Sequence, residues 1–432
     1  MNTKIHQLKT NSEFKLDDRR DLAKKIFDDL RAMSVDGPGV SRESYGPGET
    51  AAMAYCADLA QKEGLIVTYD QAANLVIELP GKDNDAPCII CGSHLDSVPQ
   101  GGNFDGSAGV VGGLISLIKM KREGVIPPRK ICVMALRGEE SAWFGLCYLG
   151  SSALFGELNG DDLERPHRTT GVSLSAFMKE TGANIRLISQ SEKLLNPKSV
   201  GAYIELHIEQ GPVMVARKLP VGVVTGLRGN IRHNQVICKG EAGHAGAVPR
   251  WLRHDTVLAT ADLLSRLDTH WAALQERGLD LVLTVGILTT NQNDHAMSRI
   301  PGECRFCLEI RSQSIDTLEA FYQLIQSEAK NVSRERGVTF DFDKRSMSSP
   351  AKMDNRWVEH LLKICDKKGM TAEALPSGAG HDAGVFANIG IPSAMIFVRN
   401  ENGSHNPLEA MDLNDFMDAV DVLHAALLNP VL

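Results

Sequence analysis

The 432-residue chain lacks the features that mark membrane proteins and nucleic-acid-binding proteins. No apolar run reaches the roughly 18 residues that a membrane-spanning helix needs, and the first residues contain no apolar segment of a secretory signal. Positive charge is not in excess, because the formal net charge is −8 and the pI is about 5.9. A nucleic-acid-binding surface requires clustered Lys and Arg side chains. We therefore expect a cytoplasmic protein that binds neither nucleic acid nor membrane.

A disulfide framework is also not expected, although the chain has nine cysteines. A cytoplasmic location keeps thiols reduced, and free cysteines are usually buried. Cys88 and Cys91, like Cys304 and Cys307, have Cys-x-x-Cys spacing, but each pair lies in a strand-like run. Residues three apart in a strand point to opposite faces, so we expect neither a redox pair nor a structural zinc site.

Strand and helix patterns alternate along most of the chain, and its length predicts two domains. Continuous apolar segments at 86–92, 130–136, 200–206 and 391–398 are typical of buried strands, and residues 107–121 have the pattern of a buried helix. Buried strands that alternate with helices predict an α/β fold. Its mainly parallel sheet should be covered by helices on both faces.

The pattern changes between about residues 215 and 345, where half-exposed strand patterns accompany two helix patterns. Their order, β-α-β-β-α-β, is typical of a small ferredoxin-like α+β domain. The predicted strands are 221–239, 281–289, 303–311 and 338–344, and the predicted helices are 255–275 and 316–335. We therefore expect a catalytic domain made of residues 1–214 and 346–432, interrupted by an inserted domain at 215–345.

Five potential metal ligands each follow a strand-like segment, and they are His94, Asp105, Glu140, His207 and His405. Functional residues of such a fold gather outside the carboxyl ends of the strands, so these side chains are expected to lie together. They are sufficient for two sites of three ligands each that share Asp105 as a bridge. Three protein ligands leave a coordination position open, which is typical of a catalytic metal centre. The pattern predicts a dinuclear metal hydrolase.

Asp96 and the pair Glu139-Glu140 add acid–base chemistry to this set. Asp96 lies two residues after His94 and can accept the second ring N–H of that histidine, although it can also serve only to cap the loop. Adjacent glutamates point in different directions, so one can bind metal while the other takes a proton from the attacking water. The residues alone leave open which glutamate has which role.

Eight short segments together resemble the hydantoinase/carbamoylase branch of the M20 metallopeptidase superfamily. This branch includes N-carbamoyl-L-amino acid amidohydrolases, β-ureidopropionases and allantoate amidohydrolases. The matching segments are Gly92-Ser-His-Leu-Asp-Ser-Val-Pro, Gly101-Gly-Asn-Phe-Asp-Gly, Gly138-Glu-Glu, Leu206-His-Ile-Glu-Gln-Gly-Pro, Gly243-His-Ala-Gly, Leu308-Glu-Ile-Arg, Ser377-Gly-Ala-Gly-His-Asp-Ala and Ser404-His-Asn-Pro. They follow the family's order, and as a set they are specific.

The resemblance implies a role for each ligand and each glutamate. Glu139 would be the catalytic base, and Glu140 would be a metal ligand. Two divalent cations would be bound, with zinc expected first and manganese, cobalt or nickel as alternatives. One cation would be held by His94, Asp105 and His207, and the other by Asp105, Glu140 and His405.

The resemblance also implies that Gln210, His244, Arg311 and His381 contact the substrate. His244 can donate to the oxyanion of a tetrahedral intermediate, which gives it a catalytic role. Arg311 can bind a substrate carboxylate through two hydrogen bonds.

Three residues depart from the family pattern. Ser298 stands where the family usually has Asn, Trp143 stands where it commonly has Arg, and Glu309 replaces an Asp. None of them is a metal ligand, so hydrolysis should be retained. Ser298 and Trp143 fall near expected substrate contacts and are therefore expected to shape the substrate pocket.

The resemblance implies an amidohydrolase for an N-carbamoyl (ureido) amino acid or a related linear amide that carries a carboxylate. A metal-bridging water activated by Glu139 would attack the carbamoyl carbon, and carbon dioxide, ammonia and the amino compound would leave. The alternatives are an allantoate amidohydrolase, an aminoacylase or dipeptidase, and a non-catalytic binding protein, which the intact base and ligands disfavour. The resemblance further implies a homodimer through residues 215–345, with His244 serving the partner's metal site and the inserted domain closing as a lid.

Overall fold

The computed structural model describes residues 15–431, and the chain forms two compact units. The larger unit comprises Met1–Thr225 and Lys352–Leu432, and the smaller unit comprises Gly226–Ala351. The sequence pattern predicted domain boundaries near 215 and 345. Residues 1–14, on which the expectation of no secretory signal rests, lie outside the described part. Among the described residues, no helix is long and apolar enough to cross a membrane.

Four parallel strands form the centre of a nine-stranded sheet in the larger unit. Their order across the sheet is Ile131–Leu136, Cys88–His94, Val200–Ile208 and Ser393–Val398. Nearly every residue of these strands is buried, which explains their continuous apolar sequences. The central strands therefore end in the same direction and deliver the residues that follow them to one edge.

Both margins of this sheet contain antiparallel pairs, so the prediction of a mainly parallel sheet is wrong there. Leu75–Leu79 runs antiparallel to Ile131–Leu136 and to Ile66–Tyr69, and Val221–Leu227 runs antiparallel to Ser393–Val398. A parallel pair needs a crossover of a dozen or more residues, whereas only a short turn joins Tyr69 to Leu75. Ala351–Lys352 and Ala372–Ser377 complete the sheet by pairing with Val221–Leu227.

Helices pack on this sheet, and Ser107–Glu123 is the most completely buried of the long ones. Its apolar side chains join a core with Val133, Leu206 and Phe416, where each large buried side chain is worth about 1.5–3 kcal/mol. The helices of the larger unit are Leu16–Ala32, Pro47–Lys62, Ser107–Glu123, Leu149–Leu154, Gly160–Leu163, Leu174–Glu180, Ile185–Ser189, Val213–Arg217, Asn355–Lys367, Asp382–Asn388 and Leu413–Leu428.

The smaller unit has an antiparallel sheet, and its two long helices share a core with that sheet. The order across the sheet is Val282–Thr284, Glu303–Ser312, Gly229–Lys239 and Thr339–Phe342, with Leu288–Thr290 and Ser346–Ser348 pairing beside them. The helices are Thr256–Glu276 and Ile315–Arg336. Buried residues alternate along Glu303–Ser312, because one face of this strand meets the shared core.

Two strands that the sequence predicted as continuous are interrupted in the structure. The segment 221–239 forms two strands that separate at Arg228, whose guanidinium pairs with the Asp280 carboxylate at 2.6 Å. The segment 281–289 also divides, because the backbone N–H of Ile287 turns to the sulfur of Cys307 instead of continuing a regular ladder. Alternation of apolar residues continues through both breaks and so did not mark them.

Candidate metal centre

The five predicted ligands lie at the carboxyl ends of strands or in the loops beyond them, and they are His94, Asp105, Glu140, His207 and His405. His94 is the last residue of the buried strand Cys88–His94, and His207 is the second-last of Val200–Ile208. These two strands are direct parallel neighbours. The sheet therefore fixes the two imidazoles side by side.

The first ligand group consists of His94, Asp105 and His207, whose donor atoms lie close together. Nε2 of His207 is 3.2 Å and Nε2 of His94 is 3.6 Å from Oδ1 of Asp105, and the two ring nitrogens are 3.5 Å apart. All three side chains are almost completely buried. This group presents two imidazoles and one carboxylate oxygen to a single point.

The second ligand group consists of Asp105, Glu140 and His405. Nε2 of His405 lies 3.4 Å from Oδ2 of Asp105 and 3.2 Å from Oε1 of Glu140. Asp105 thus turns one oxygen to each group and is common to both. The side chain of His405 is about half exposed, so the second group lies nearer to solvent than the first.

The donor set fits one divalent cation in each group. Oδ1 of Asp105 and Oε1 of Glu140 are buried and have no hydrogen-bond partner among the described residues. Buried carboxylate oxygens without partners are costly, and a cation at each group would satisfy them. Mixed imidazole and carboxylate donors suit zinc, manganese, cobalt and nickel ions.

Gly106 allows Asp105 and His94 to approach each other. Its φ is +66°, and a Cβ at this position would lie 2.4 Å from atoms of the His94 ring. Only glycine adopts this backbone region readily while leaving the ring its place. The glycine-rich loop before helix Ser107–Glu123 is therefore required by the geometry of the first group.

Asp96 connects His94 to the glutamate pair. Its Oδ1 lies 3.3 Å from Nδ1 of His94 and accepts the backbone N–H of Glu139 at 3.0 Å. Its Oδ2 accepts the backbone N–H of Glu140 at 3.1 Å and the hydroxyl of Ser44 at 2.6 Å. The backbone carbonyl of Asp96 lies 3.1 Å from Nδ1 of His94, so this one residue orients a ligand ring through its backbone and the loop with both glutamates through its carboxylate.

The cluster of carboxylates and imidazoles changes the proton affinity of its members. Hydrogen bonds that the His405 ring donates to the carboxylates of Asp105 and then Glu140 raise its pKa to about 11. Burial raises the pKa of Glu139 well above its usual value, and Oε2 of Glu139 lies 3.9 Å from Nε2 of His94. Cations bound here must displace protons from the imidazoles.

Glu409 and Ser404 support the cluster, and the sequence analysis did not identify them. Oε1 of Glu409 accepts the backbone N–H groups of Phe104 and Asp105 at 2.8 and 3.2 Å, and Oε2 accepts the Ser404 hydroxyl at 2.7 Å. Ser404 also contacts Oδ2 of Asp105. Glu409 follows His405 by four residues, and that proximity was the only signal available in the sequence.

Two of the predicted substrate contacts lie beside the ligands. Nε2 of Gln210 donates to Oδ2 of Asp105 at 2.9 Å. His381 is buried, its ring centre lies 4.4 Å from that of His207, and its Nε2 is 3.0 Å from the Ser377 hydroxyl. Burial, with the neighbouring His207, keeps the pKa of His381 well below its usual value.

Trp143 lies in the same unit but is buried, with 5% of its surface exposed. Its indole N–H donates to the carbonyl of Ser97 at 2.8 Å, and its ring stacks on His167. Its ring and its N–H are therefore both engaged by other residues of the larger unit.

The other predicted contacts belong to the smaller unit. His244 lies in the short strand Gly243–His244 opposite Arg299, and its side chain is exposed. The backbone N–H of Ala245 donates to the carbonyl of Ser298 at 2.7 Å, so the segments of His244 and Ser298 are neighbours. Nη2 of Arg311 lies 3.1 Å from Oε2 of Glu309, the residue that replaces the family's Asp.

Comparison with known proteins agrees with this arrangement. The sequence profile described as "Peptidase family M20/M25/M40" matches residues 90–429, a span that contains all five predicted ligands. The chain is 34% identical to an N-carbamoyl-L-amino acid amidohydrolase of Geobacillus stearothermophilus, over 89% of this chain and 92% of that one. It is 30% identical to an allantoate amidohydrolase of Escherichia coli, over 89% of this chain and 91% of that one.

Solved structures of hydantoinase/carbamoylase amidases are also similar to the chain. A hydantoinase/carbamoylase family amidase from Burkholderia ambifaria superposes with a TM-score of 0.84 at 27% identity, covering 95% of this chain and 96% of that one. The fold and the ligand cluster define a metal-dependent hydrolase. The chain belongs to the M20/M25/M40 peptidase family, and its similarity extends to the hydantoinase/carbamoylase amidases within it.

Proposed function

We propose that this protein is a metal-dependent amidohydrolase that cleaves the C–N bond of an N-carbamoyl amino acid or a related linear amide. The observation that carries the proposal is the shared carboxylate of Asp105, which faces two ligand groups at once with Glu139 beside them. A three-ligand group leaves room for substrate or water. The catalytic centre is proposed to contain two divalent cations, most readily zinc.

The cations and the side chains would each perform part of the proposed reaction. Cations held by these ligands would supply Lewis acidity for the scissile carbonyl and lower the pKa of a water at the centre. Glu139 accepts the proton of the attacking water and returns it to the leaving nitrogen. Asp96 fixes the Glu139 backbone through its hydrogen bond at 3.0 Å. With an N-carbamoyl amino acid and one water, the products are the amino acid, carbon dioxide and ammonia.

The substrate class rests on the relatives and on Arg311. An amidohydrolase of N-carbamoyl-L-amino acids is 34% identical to the chain, and all such compounds carry a carboxylate. Arg311 is proposed to bind that carboxylate, because a planar guanidinium can make two parallel hydrogen bonds to it. Allantoate, which also bears ureido groups and a carboxylate, is the second candidate and is favoured by the relative from Escherichia coli.

The smaller unit is proposed to form the interface of a homodimer and to supply His244 to the partner's centre. Several large apolar side chains of this unit are exposed, namely Trp251, Leu252, Leu258, Ile287 and Leu288. Leu288 lies on the strand Leu288–Thr290, which pairs on one side with Glu303–Ser312. Exposed apolar side chains beside such a strand favour association with another protein surface, and a second copy satisfies this need symmetrically.

A substrate panel tests the proposal. The purified protein is stripped with a chelator and reloaded separately with zinc, manganese, cobalt or nickel. Release of ammonia is then measured with N-carbamoyl amino acids and with allantoate, and release of free amine with N-acetyl amino acids and dipeptides. Hydrolysis of a ureido acid at least tenfold faster than that of the acyl compounds is the expected result. Faster hydrolysis of the acyl compounds or dipeptides would contradict the proposal, as would no turnover of any substrate with any metal.

A further inference from the structure

Three contacts fasten Trp143 within the loop that follows Glu139 and Glu140. Its indole Nε1–H donates to the carbonyl of Ser97 at 2.8 Å. Its own carbonyl accepts the backbone N–H of Arg168 at 2.8 Å. Its ring lies parallel to the His167 ring, with an interplanar angle of 5° and 5.5 Å between ring centres.

His167 extends this contact into an aromatic stack. Its ring also stacks on Phe177 at 5.0 Å, and Phe144 meets both His167 and Phe177 edge-on. His167 is 1% exposed. Aromatic pairs at these separations attract one another beyond the effect of their buried area, so the Trp143 ring is held in one orientation.

The hydrogen bond to Ser97 is one half of a reciprocal connection between two loops. From the first loop, the Asp96 side chain accepts the backbone N–H groups of Glu139 and Glu140. From the second loop, the Trp143 side chain donates to the backbone of Ser97, the residue after Asp96. Each loop therefore sends one buried side chain to the backbone of the other.

We propose that Trp143 is a positioning residue that holds the Glu139 loop against the Asp96 loop, and that it does not contact substrate. The Asp96 carboxylate holds the second loop only at the backbone of Glu139 and Glu140. The Trp143 hydrogen bond adds a second attachment three residues after Glu140, and the two together fix the direction of the Glu139 carboxylate. The expectation that Trp143 shapes the substrate pocket is thereby replaced. The proposal rests on the role of Glu139 as base in the proposed function.

Trp143→Phe tests the hydrogen bond separately from the stack. Phenylalanine retains an aromatic ring against His167 but has no N–H for the Ser97 carbonyl. Because a buried hydrogen bond is lost, we expect kcat to fall severalfold, by up to about tenfold, with KM within twofold and metal content unchanged. Trp143→Leu, which also removes the stack, should lower kcat further.

Trp357 provides the matched control. It is a fully buried tryptophan of helix Asn355–Lys367, and its indole Nε1 has no hydrogen-bond partner among the described residues. Trp357→Phe removes the same atoms from a ring whose aromatic contact is His360 of its own helix. It should lower the unfolding temperature at least as much as Trp143→Phe while leaving kcat within twofold of the wild type.

A double-mutant cycle separates positioning from general destabilisation. Asp96→Asn should lower kcat by roughly 10–100-fold, as expected for a group that orients a ligand, which leaves a measurable rate. Trp143→Phe added to Asp96→Asn should then cost less than twofold, because the first connection is already lost. Trp357→Phe should be additive in the same background.

Three results would overturn the proposal: a rise in KM at unchanged kcat, no change in either constant, or full additivity of Trp143→Phe with Asp96→Asn. The first would make Trp143 a substrate contact. Failure of the proposed function has a different signature, since wild-type protein would then hydrolyse none of the ureido or amide substrates.

Discussion

Nε2 of His405 lies 3.4 Å from Oδ2 of Asp105, and this contact joins the two parts of the chain that form the larger unit. The other oxygen of Asp105 lies 3.2 Å from Nε2 of His207. A single carboxylate therefore serves both ligand groups. Mutation of Asp105 should therefore affect both groups, whereas mutation of any other ligand should affect only one.

Replacing the shared ligand should affect metal content differently from replacing an unshared one. Asp105→Ala is expected to release both cations, whereas His207→Ala and His405→Ala should each retain one per subunit. His381→Ala is the control and should retain two, because His381 is proposed to contact substrate. Elemental analysis of the purified, buffer-exchanged variants measures these values. Two retained cations in Asp105→Ala would show that Asp105 is not the bridge.

Gly106→Ala should disrupt the first ligand group through steric contact alone. The added methyl would lie 2.4 Å from the His94 ring, so metal content and most of the activity should be lost. Gly145→Ala is matched, because Gly145 has a φ of +71° and a Cβ there meets nothing within 4 Å. Both positions have a positive φ, which costs an L-residue at least about 1 kcal/mol, but Gly145→Ala should keep its activity. Equal loss in the two would mean that backbone strain is responsible.

Part of the metal centre could be predicted from the sequence, because the continuous apolar strands of a sheet covered on both faces end at the same edge. That reasoning led to His94 and His207, which the structure brings to 3.5 Å between ring nitrogens. Glu409 was missed because its contacts with Phe104 and Asp105 join residues about three hundred positions apart, which no local spacing can indicate. The stack of Trp143 on His167 is likewise a tertiary contact that local spacing does not indicate.

The fold was predictable where a segment is continuously apolar. The buried helix Ser107–Glu123 and the central strands match their apolar patterns. The antiparallel margins were not anticipated, although Leu75–Leu79 shows the alternating burial of a strand with two unequal faces. Its apolar segment is short. The preceding strand, Ile66–Tyr69, is short as well. The short turn from Tyr69 to Leu75 makes that pair antiparallel, and the sequence of neither strand indicates its direction.

His424 should make the free energy of unfolding depend on pH in the acid range. Burial, and then Lys119, lowers its pKa to about 4, against about 6.5 in the unfolded chain. The folded state therefore disfavours the charged ring. The contribution of His424 to the free energy of unfolding is fully present above pH ~6.5. It is lost as the pH falls towards 4, by about 2 kcal/mol between pH 7 and 4.5.

The matched measurement compares urea unfolding of the metal-free wild type with that of His424→Gln at both pH values. Glutamine cannot titrate, so the variant should lose about 2 kcal/mol less on acidification. The same pH dependence in both proteins would contradict the assignment of this effect to His424.

Complementation tests whether His244 serves the centre of a partner subunit. Glu139→Ala and His244→Ala should each be nearly inactive alone. In a mixed dimer, one centre would have both residues intact and the other would have neither. Random pairing makes about half of the dimers mixed, so roughly a quarter of wild-type activity should return after the two are refolded together. No recovery, despite mixed dimers detected by differential tags, would place the action of His244 within its own chain or remove it from catalysis.

The most direct test of the central claim is turnover by Glu139→Gln at measured metal content. Glutamine preserves the shape of the side chain but cannot accept the proton of the attacking water. The variant should therefore bind two cations per subunit and unfold at the wild-type temperature, while kcat falls by at least the roughly 10²–10⁴-fold expected for loss of a general base. Near-normal kcat at full metal occupancy would contradict the role of Glu139 as base.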